Sequence, residues 1–469
     1  MKTMSALIRT TKSICPVCYH LIDANLYEEN GAVYMEKRCA EHGAFKDLCW
    51  SDYQLYQQFE AKDTEGVGRS EITEINGECP FACGLCLRHE SSTVLGVIDV
   101  TMRCNLSCPT CFAKNDNNDR ENQKDPDFEQ LKAIIDNFAS NTNAAGLQFS
   151  GGEPTLRDDL PELIAYARTK FDHVEVNTNG LKMAESEAYC KAMESAGTSV
   201  VYLQFDGVTD EPYEKLRGRK LLAMKKKAIE NHRTAGPKPA IVLVPTIVKG
   251  INDDQIGAII NFAVENSTII RGVNFQPVSF CGRTSHDHNE RITVSDIIRK
   301  VEEQTGSLHK EDFFPPSFMS MLLGTLASKS EVGCHFSCGA FTYLVVEKKG
   351  RAEGKIEPIT RYMDMEKLAA AYNKNKRLSA FTALRHIHPS FIKELFIGFL
   401  KSHNYEDLSD LHFNLLFIGA MHFMDPYNFD CTRLRRCVIH YGLPDGRIVP
   451  FCSYNTIHRT PFNNKVNLL

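Results

Sequence analysis

Three cysteines within eight residues, Cys104, Cys108 and Cys111, follow directly on a β-branched run from Val94 to Val100, and nothing else constrains this chain as tightly. Thiols spaced C-x3-C-x2-C in a loop after the first strand of a βα unit can hold three irons of a [4Fe-4S] cluster. The fourth iron is then left without a protein ligand. A zinc ribbon, by contrast, pairs one C-x2-C with a second Cys/Cys or Cys/His pair.

The triplet is part of a wider excess. Of 17 cysteines, ten lie in the first 111 positions, where an even spread would put about four. The opening stretch MKTMSALIRTTKSICPVC is broken by Arg9 and Lys12, unlike the apolar core of a secretory leader, so the expectation is a cytoplasmic protein. In a reducing compartment, clustered cysteines at short spacing read as metal ligands before disulfides. With 54 Lys+Arg against 59 Asp+Glu, no globally basic nucleic-acid binder is indicated. No run approaches about eighteen uninterrupted apolar residues, the length that would span a membrane.

Four regions separate along the chain: residues 1–75, a metal-binding N-terminal domain; 76–92, a short Cys-rich segment; 93–285; and 286–469. In the third, strand-like runs alternate with amphipathic stretches, the pattern of βα units around a parallel sheet. The strands are expected at Val94–Val100, Gly146–Ser150, His173–Asn177, Ser199–Gln204, Ala240–Ile247 and Gly272–Pro277. Six are too few for a closed eight-fold barrel, so the fold expected is α/β, a partial βα barrel or an open sheet. The last region is expected to be helical, with apolar segments Ser317–Leu326, Ser390–Leu400 and Leu411–Met424.

The Cys104 segment resembles the signature of the radical S-adenosylmethionine (radical SAM) superfamily, in which SAM chelates the open iron of the cluster, and the resemblance implies that family's partial (β/α)6 barrel. Ser150-Gly-Gly-Glu-Pro154 resembles the superfamily's GGEP turn, which implies that Gly151, Gly152 and Glu153 meet the SAM amino group. Asn177, Asn179, Gln204, Asp206, Asn274 and Gln276 stand at strand C-termini, where ligands of such sheets bind. One position departs from the pattern. The superfamily often has an aromatic residue before the last cysteine, but here Thr110 stands there and Phe112 follows Cys111.

Three further cysteine sets recur. A second C-x3-C-x2-C, at Cys79, Cys83 and Cys86, reads as an auxiliary cluster whose fourth ligand is His89, a downstream cysteine or substrate. Cys15, Cys18, Cys39 and His42 have the spacing of a mononuclear site, a zinc ribbon or rubredoxin-like iron, with Cys49 as an alternative to His42. Cys334, Cys338, Cys437 and Cys452 resemble the SPASM or twitch extension that follows many radical SAM barrels, with Cys431 as a substitute ligand. The lone Cys190 and Cys281 read as small buried hydrophobes.

Taken end to end, the motif order CPFACGLC, CNLSCPTCFA, SGGEPTLRDDL, NTNG, FQPVSF, CHFSCGAFTY and CVIHYGLPDGRIVPFC resembles the group of archaeal tetraether lipid synthase and its bacterial relatives. That resemblance implies hydrogen abstraction from the unactivated end of a lipid tail, radical capture at an auxiliary cluster, and carbon-carbon coupling of two tails. It further implies a lipid substrate, an electron donor such as ferredoxin or flavodoxin, and peripheral contact at the inner face of the membrane. A radical SAM peptide or protein maturase would share the barrel and the C-terminal cysteines. A ferredoxin-like carrier would account for the cysteines but not for the GGEP turn.

Overall fold

The computed structural model describes residues 6–64, 77–113, 125–236, 239–284, 286–327, 333–346, 356–375, 377–389, 391 and 415–459. The N-terminal unit is a four-stranded antiparallel sheet in chain order, β1 (Ala6–Ile14), β2 (Leu21–Glu29), β3 (Ala32–Cys39) and β4 (Gly43–Trp50), followed by α1 (Tyr53–Ala61). Trp50 closes it, packing edge-on against Tyr56 and Phe59 of α1 with ring centroids 5.8 and 5.3 Å apart.

The βα units then follow as β5 (Leu95–Thr101), α2 (Phe128–Asn141), β6 (Gly146–Gly151), α3 (Leu160–Arg168) and β7 (His173–Thr178). Next come α4 (Leu181–Glu185), α5 (Glu187–Ser195), β8 (Val200–Gln204), α6 (Glu211–Arg217), α7 (Leu222–Ala235), β9 (Ala240–Val244), β10 (Thr246–Ile247), α8 (Ile256–Glu265) and β11 (Ile270–Pro277). All six expected strands form, parallel in the order β5-β6-β7-β8-β9-β11. Alternation sets the two faces of this sheet. Val174 and Val176 of β7 join the core under α2 and α3, whereas Glu175 and Asn177 point to the opposite, inner face. Helix α2 shows why the outer layer holds: Asp127 and Gln130 make a reciprocal capping box, and Leu131, Ile134, Ile135 and Phe138 share one buried face.

The remaining elements are α9 (Val294–Thr305), α10 (Pro316–Ala327), β12 (Gly339–Val346), β13 (Ile356–Pro358), α11 (Met365–Asn375), α12 (Ala380–Leu384), β14 (Leu415–Met421), α13 (Cys431–Arg435), β15 (Ile439–Gly442) and β16 (Ile448–Pro450). They include the expected helices, α9 to α12, with one correction, at Leu411–Met424. Within Leu411–Met424 the described part is strand β14, parallel to β11 and antiparallel to β12, so the sheet continues past the sixth strand. On the other edge β15 runs parallel to β5, and Gly442 leaves room for Phe138, whose ring carbon would lie 2.4 Å from an added Cβ. Strands buried on both faces read as unbroken apolar runs, which periodicity alone does not separate from helix. The segment Ser317–Leu326 is helical as α10, packed with α11 and α12 in a core of its own. Of Ser390–Leu400, all but residue 391 lies outside the described residues. Among the described residues no helix is long and apolar enough to cross a membrane.

Candidate active site and metal centres

The loop after β5 carries Cys104, Cys108 and Cys111 to the C-terminal mouth of the strands, where all three line one cavity of about 260 Å³. The thiols lie within electrostatic reach of one another. Burial pushes Cys104 up to about 11 and raises Cys108, so as thiolates they call for a compensating cation. Three sulfurs converging from one short loop onto an open cavity fit the expected cluster. Asn274 on β11 lines the same cavity with its Oδ1 buried and unbonded, which fits a hydrogen-bonding ligand there.

The GGEP turn has a role that the sequence does not announce. Gly152 N donates to Thr101 O and Glu153 N to Arg103 O, both at 2.8 Å, so the turn is zipped onto the start of the cluster loop. A Cβ on Gly151 would stand 2.1 Å from Thr101 O, and one on Gly152 would stand 2.2 Å from Arg103 O. Here the glycines permit backbone to lie on backbone. Glu153 is buried, and its carboxylate accepts from Thr178 Oγ1 at 2.7 Å, Asn179 N at 2.7 Å and Thr155 Oγ1 at 2.6 Å. Asn179 Nδ2 in turn donates to Asn105 Oδ1 at 2.7 Å, inside the cluster loop.

The other expected contacts divide. Asn177, Gln204, Asn274 and Gln276 line the cavity with Gly151, Gly152, Glu153 and Asn179. Asp206 is absent from that lining: it is fully buried and held by Arg217 through contacts of 2.7 and 2.8 Å. Arg217, on α6, escapes sequence reading because a lone arginine at a helix end carries no motif. Its Nη1 donates to Thr110 O at 2.9 Å and its Nη2 to Thr246 Oγ1 at 2.9 Å, bracing the cluster loop against β10. Phe112 lies 6.1 Å from Phe451 and beneath the Arg459 guanidinium.

The auxiliary cysteines gather as two sets. Cys83 lies within electrostatic reach of both Cys79 and Cys86, and Cys431 is the side chain beside Cys79, a hydrogen bond that draws the Cys79 thiol down to about 7. Cys431 thus stands beside this triplet, in the place where a downstream cysteine could act as fourth ligand. His89 is turned elsewhere: its Nε2 is 2.8 Å from Cys437 O and 3.1 Å from His440 Nε2. Cys334, Cys338, Cys437 and Cys452 form the second set, Cys338 lying within electrostatic reach of the other three, and Cys452 also lines the main cavity.

In the N-terminal sheet the ligand atoms of Cys15, Cys18, Cys39 and His42 all lie within 4.8 Å of one another. His42 Nδ1 is 3.5 Å from Cys39 Sγ and 3.8 Å from Cys15 Sγ, and the Cys39 hydrogen bond to His42 lowers its thiol to about 6. These donors fit one tetrahedral ion. Cys49 does not join them. It sits beside Arg9, Trp50 and Tyr56, with burial pushing its thiol up to about 12.

A cluster-binding triplet at the mouth of six parallel strands defines a radical SAM enzyme, and residues 98–263 match the Radical SAM superfamily model. Residues 7–51 match the HMPTM N-terminal zinc ribbon domain. The chain is 41% identical, over 98% of its own length and 96% of the relative's, to "7,8-dihydro-6-hydroxymethylpterin dimethyltransferase" of Methanocaldococcus jannaschii, and it belongs to that radical SAM family. It is 34% identical to "Fe-coproporphyrin III synthase" of Methanosarcina barkeri over 46% of this chain and 53% of that one. Among solved structures, SuiB of Streptococcus suis aligns with a TM-score of 0.38 at 18% identity, over 47% of this chain and 46% of that one, too loosely to carry an argument. The resemblance noted in the sequence thus holds for the superfamily and the zinc ribbon. The relative that spans the whole chain bears the name of a pterin methyltransferase.

Proposed function

We propose that this enzyme forms carbon-carbon bonds at unactivated carbon, and that its substrates are two lipid hydrocarbon tails. With SAM bound and the cluster reduced, the Cys104, Cys108 and Cys111 site would supply a 5'-deoxyadenosyl radical. The observation that carries the lipid reading is the apolar part of the cavity lining, which includes Val244, Val278, Met421, Phe423, Phe451 and Ile439. Such a wall holds an alkyl chain by burial and excludes water from a reactive carbon. The chain's own residues then orient and confine: the GGEP turn and Arg217 hold the cluster loop, and the apolar wall holds the substrate. An electron donor such as ferredoxin or flavodoxin and peripheral contact with the membrane that stores the substrate belong to this reading.

A second reading, methylation of a pterin, is favoured by the name of the full-length relative and by the polar part of the inner face. There Asn177 Nδ2 donates to Gln148 Oε1 at 2.8 Å, and Gln148 Nε2 to Glu175 at 2.9 Å, a row able to meet a polar ring. Anaerobic expression in a host that makes only ordinary diacyl lipids separates the two. Mass analysis should show tail-to-tail coupled lipids that vanish in Cys104→Ala. Unchanged lipids with methylated pterins would establish the second reading, and unchanged lipids with a modified co-expressed peptide would establish a maturase.

A further inference from the structure

Five arginines are buried among the described residues: Arg157, Arg217, Arg291, Arg433 and Arg459. A guanidinium taken out of water needs a compensating anion, because an unpaired buried charge costs several kcal/mol or more. Four of the five have a carboxylate: Arg157 with Asp159, Arg217 with Asp206, Arg459 with Asp99, and Arg291 with both Asp47 and Asp425. Arg433 has none within 4.0 Å among the described residues. Its hydrogen-bond partners are the sulfur of Cys338, 3.2 Å from Nε, and the carbonyl oxygen of His422.

The side chain is held there by its neighbourhood. Asp430 caps α13, accepting from Thr432 N at 2.9 Å, and is itself paired with Arg9 of β1, so the nearest acid is already committed. Arg433 thus projects from α13 onto the C-terminal cysteine set, with Cys452 also within electrostatic reach. The adjacent Arg436 differs, since it pairs with Asp63.

We infer that Arg433 is the counter-charge of an iron-sulfur cluster held by Cys334, Cys338, Cys437 and Cys452, and that it stabilises the cluster's more negative, reduced state. Four thiolates around a [4Fe-4S] core leave it anionic, and a fixed cation against one thiolate favours the added electron. Arg433 is a positioning residue that acts through Cys338. The inference rests on the four-cysteine set and not on the identity of the substrate.

The test uses the full-length chain, purified and reconstituted without oxygen, as Arg433→Gln and Arg433→Lys. The signal of this site is the one abolished by Cys338→Ser in an electron paramagnetic resonance redox titration. The expected result is a midpoint potential moved to more negative values in Arg433→Gln and kept close to the parent value in Arg433→Lys. Loss of about four irons per chain in Arg433→Gln, restored in Arg433→Lys, supports the same role. An unchanged potential with unchanged iron in Arg433→Gln overturns it. So does equal loss in both variants, which would make shape rather than charge the requirement, and so does a parent protein with no signal that depends on Cys338.

Discussion

Replacing Gly152 with alanine tests how the cofactor turn and the cluster loop are joined. The new methyl would stand 2.2 Å from Arg103 O and 2.7 Å from Met102 O, both backbone atoms that no side-chain rotation can move aside. The turn must lift, and the two backbone hydrogen bonds from Gly152 and Glu153 then lengthen or break. At roughly 1 kcal/mol each, the bonds account for about 2 kcal/mol, and forced overpacking adds roughly 1–3 kcal/mol. The assay is urea denaturation of the metal-free protein beside iron content after anaerobic reconstitution. Gly446→Ala is the control. Its φ of +86° makes alanine strained, yet no atom lies within 4 Å of the added methyl, so the cost should stay near 1 kcal/mol with iron unaffected. A Gly152→Ala protein with the parent's denaturation midpoint and full iron content would refute the reasoning.

Three other expectations follow from the same geometry. Cys104→Ala should abolish reductive cleavage of SAM, measured as 5'-deoxyadenosine by chromatography, and retained cleavage would sink the assignment of this triplet. Cys431→Ser should lower iron bound at the Cys79, Cys83 and Cys86 site while SAM cleavage persists, and unchanged iron would return the fourth ligand to another group. Burial raises the Glu175 carboxyl from 4.5 to about 7, so the folded chain holds an extra proton between those values. Stability should therefore fall by up to about 3 kcal/mol as pH rises through that window and level off above it. In Glu175→Gln that slope should disappear from pH-dependent denaturation curves, whereas an unaltered slope would place its origin elsewhere.

Much of this protein is legible in its sequence because the signals are local. The cysteine spacings mark the cluster triplet and the mononuclear knuckle, since a metal's ligands must come from short loops of suitable reach. β-Branched and aromatic runs separated by amphipathic stretches mark the six parallel strands, because each βα unit packs its strand under a helix. What tertiary structure alone decides is set by distant partners. Strand β14, Leu415 to Met421, carries no polar residue to mark a period of two, since it is buried along most of its length. Cys431 reaches Cys79 across 352 positions, so no spacing rule could assign it. Arg217 and Arg433 carry no motif, and their roles arise from where the chain folds them: against the Thr110 carbonyl and against the Cys338 sulfur. Ligand type is written in short-range sequence, while ligand sharing, bracing and charge compensation depend on contacts that exist only once distant segments of the chain have packed together.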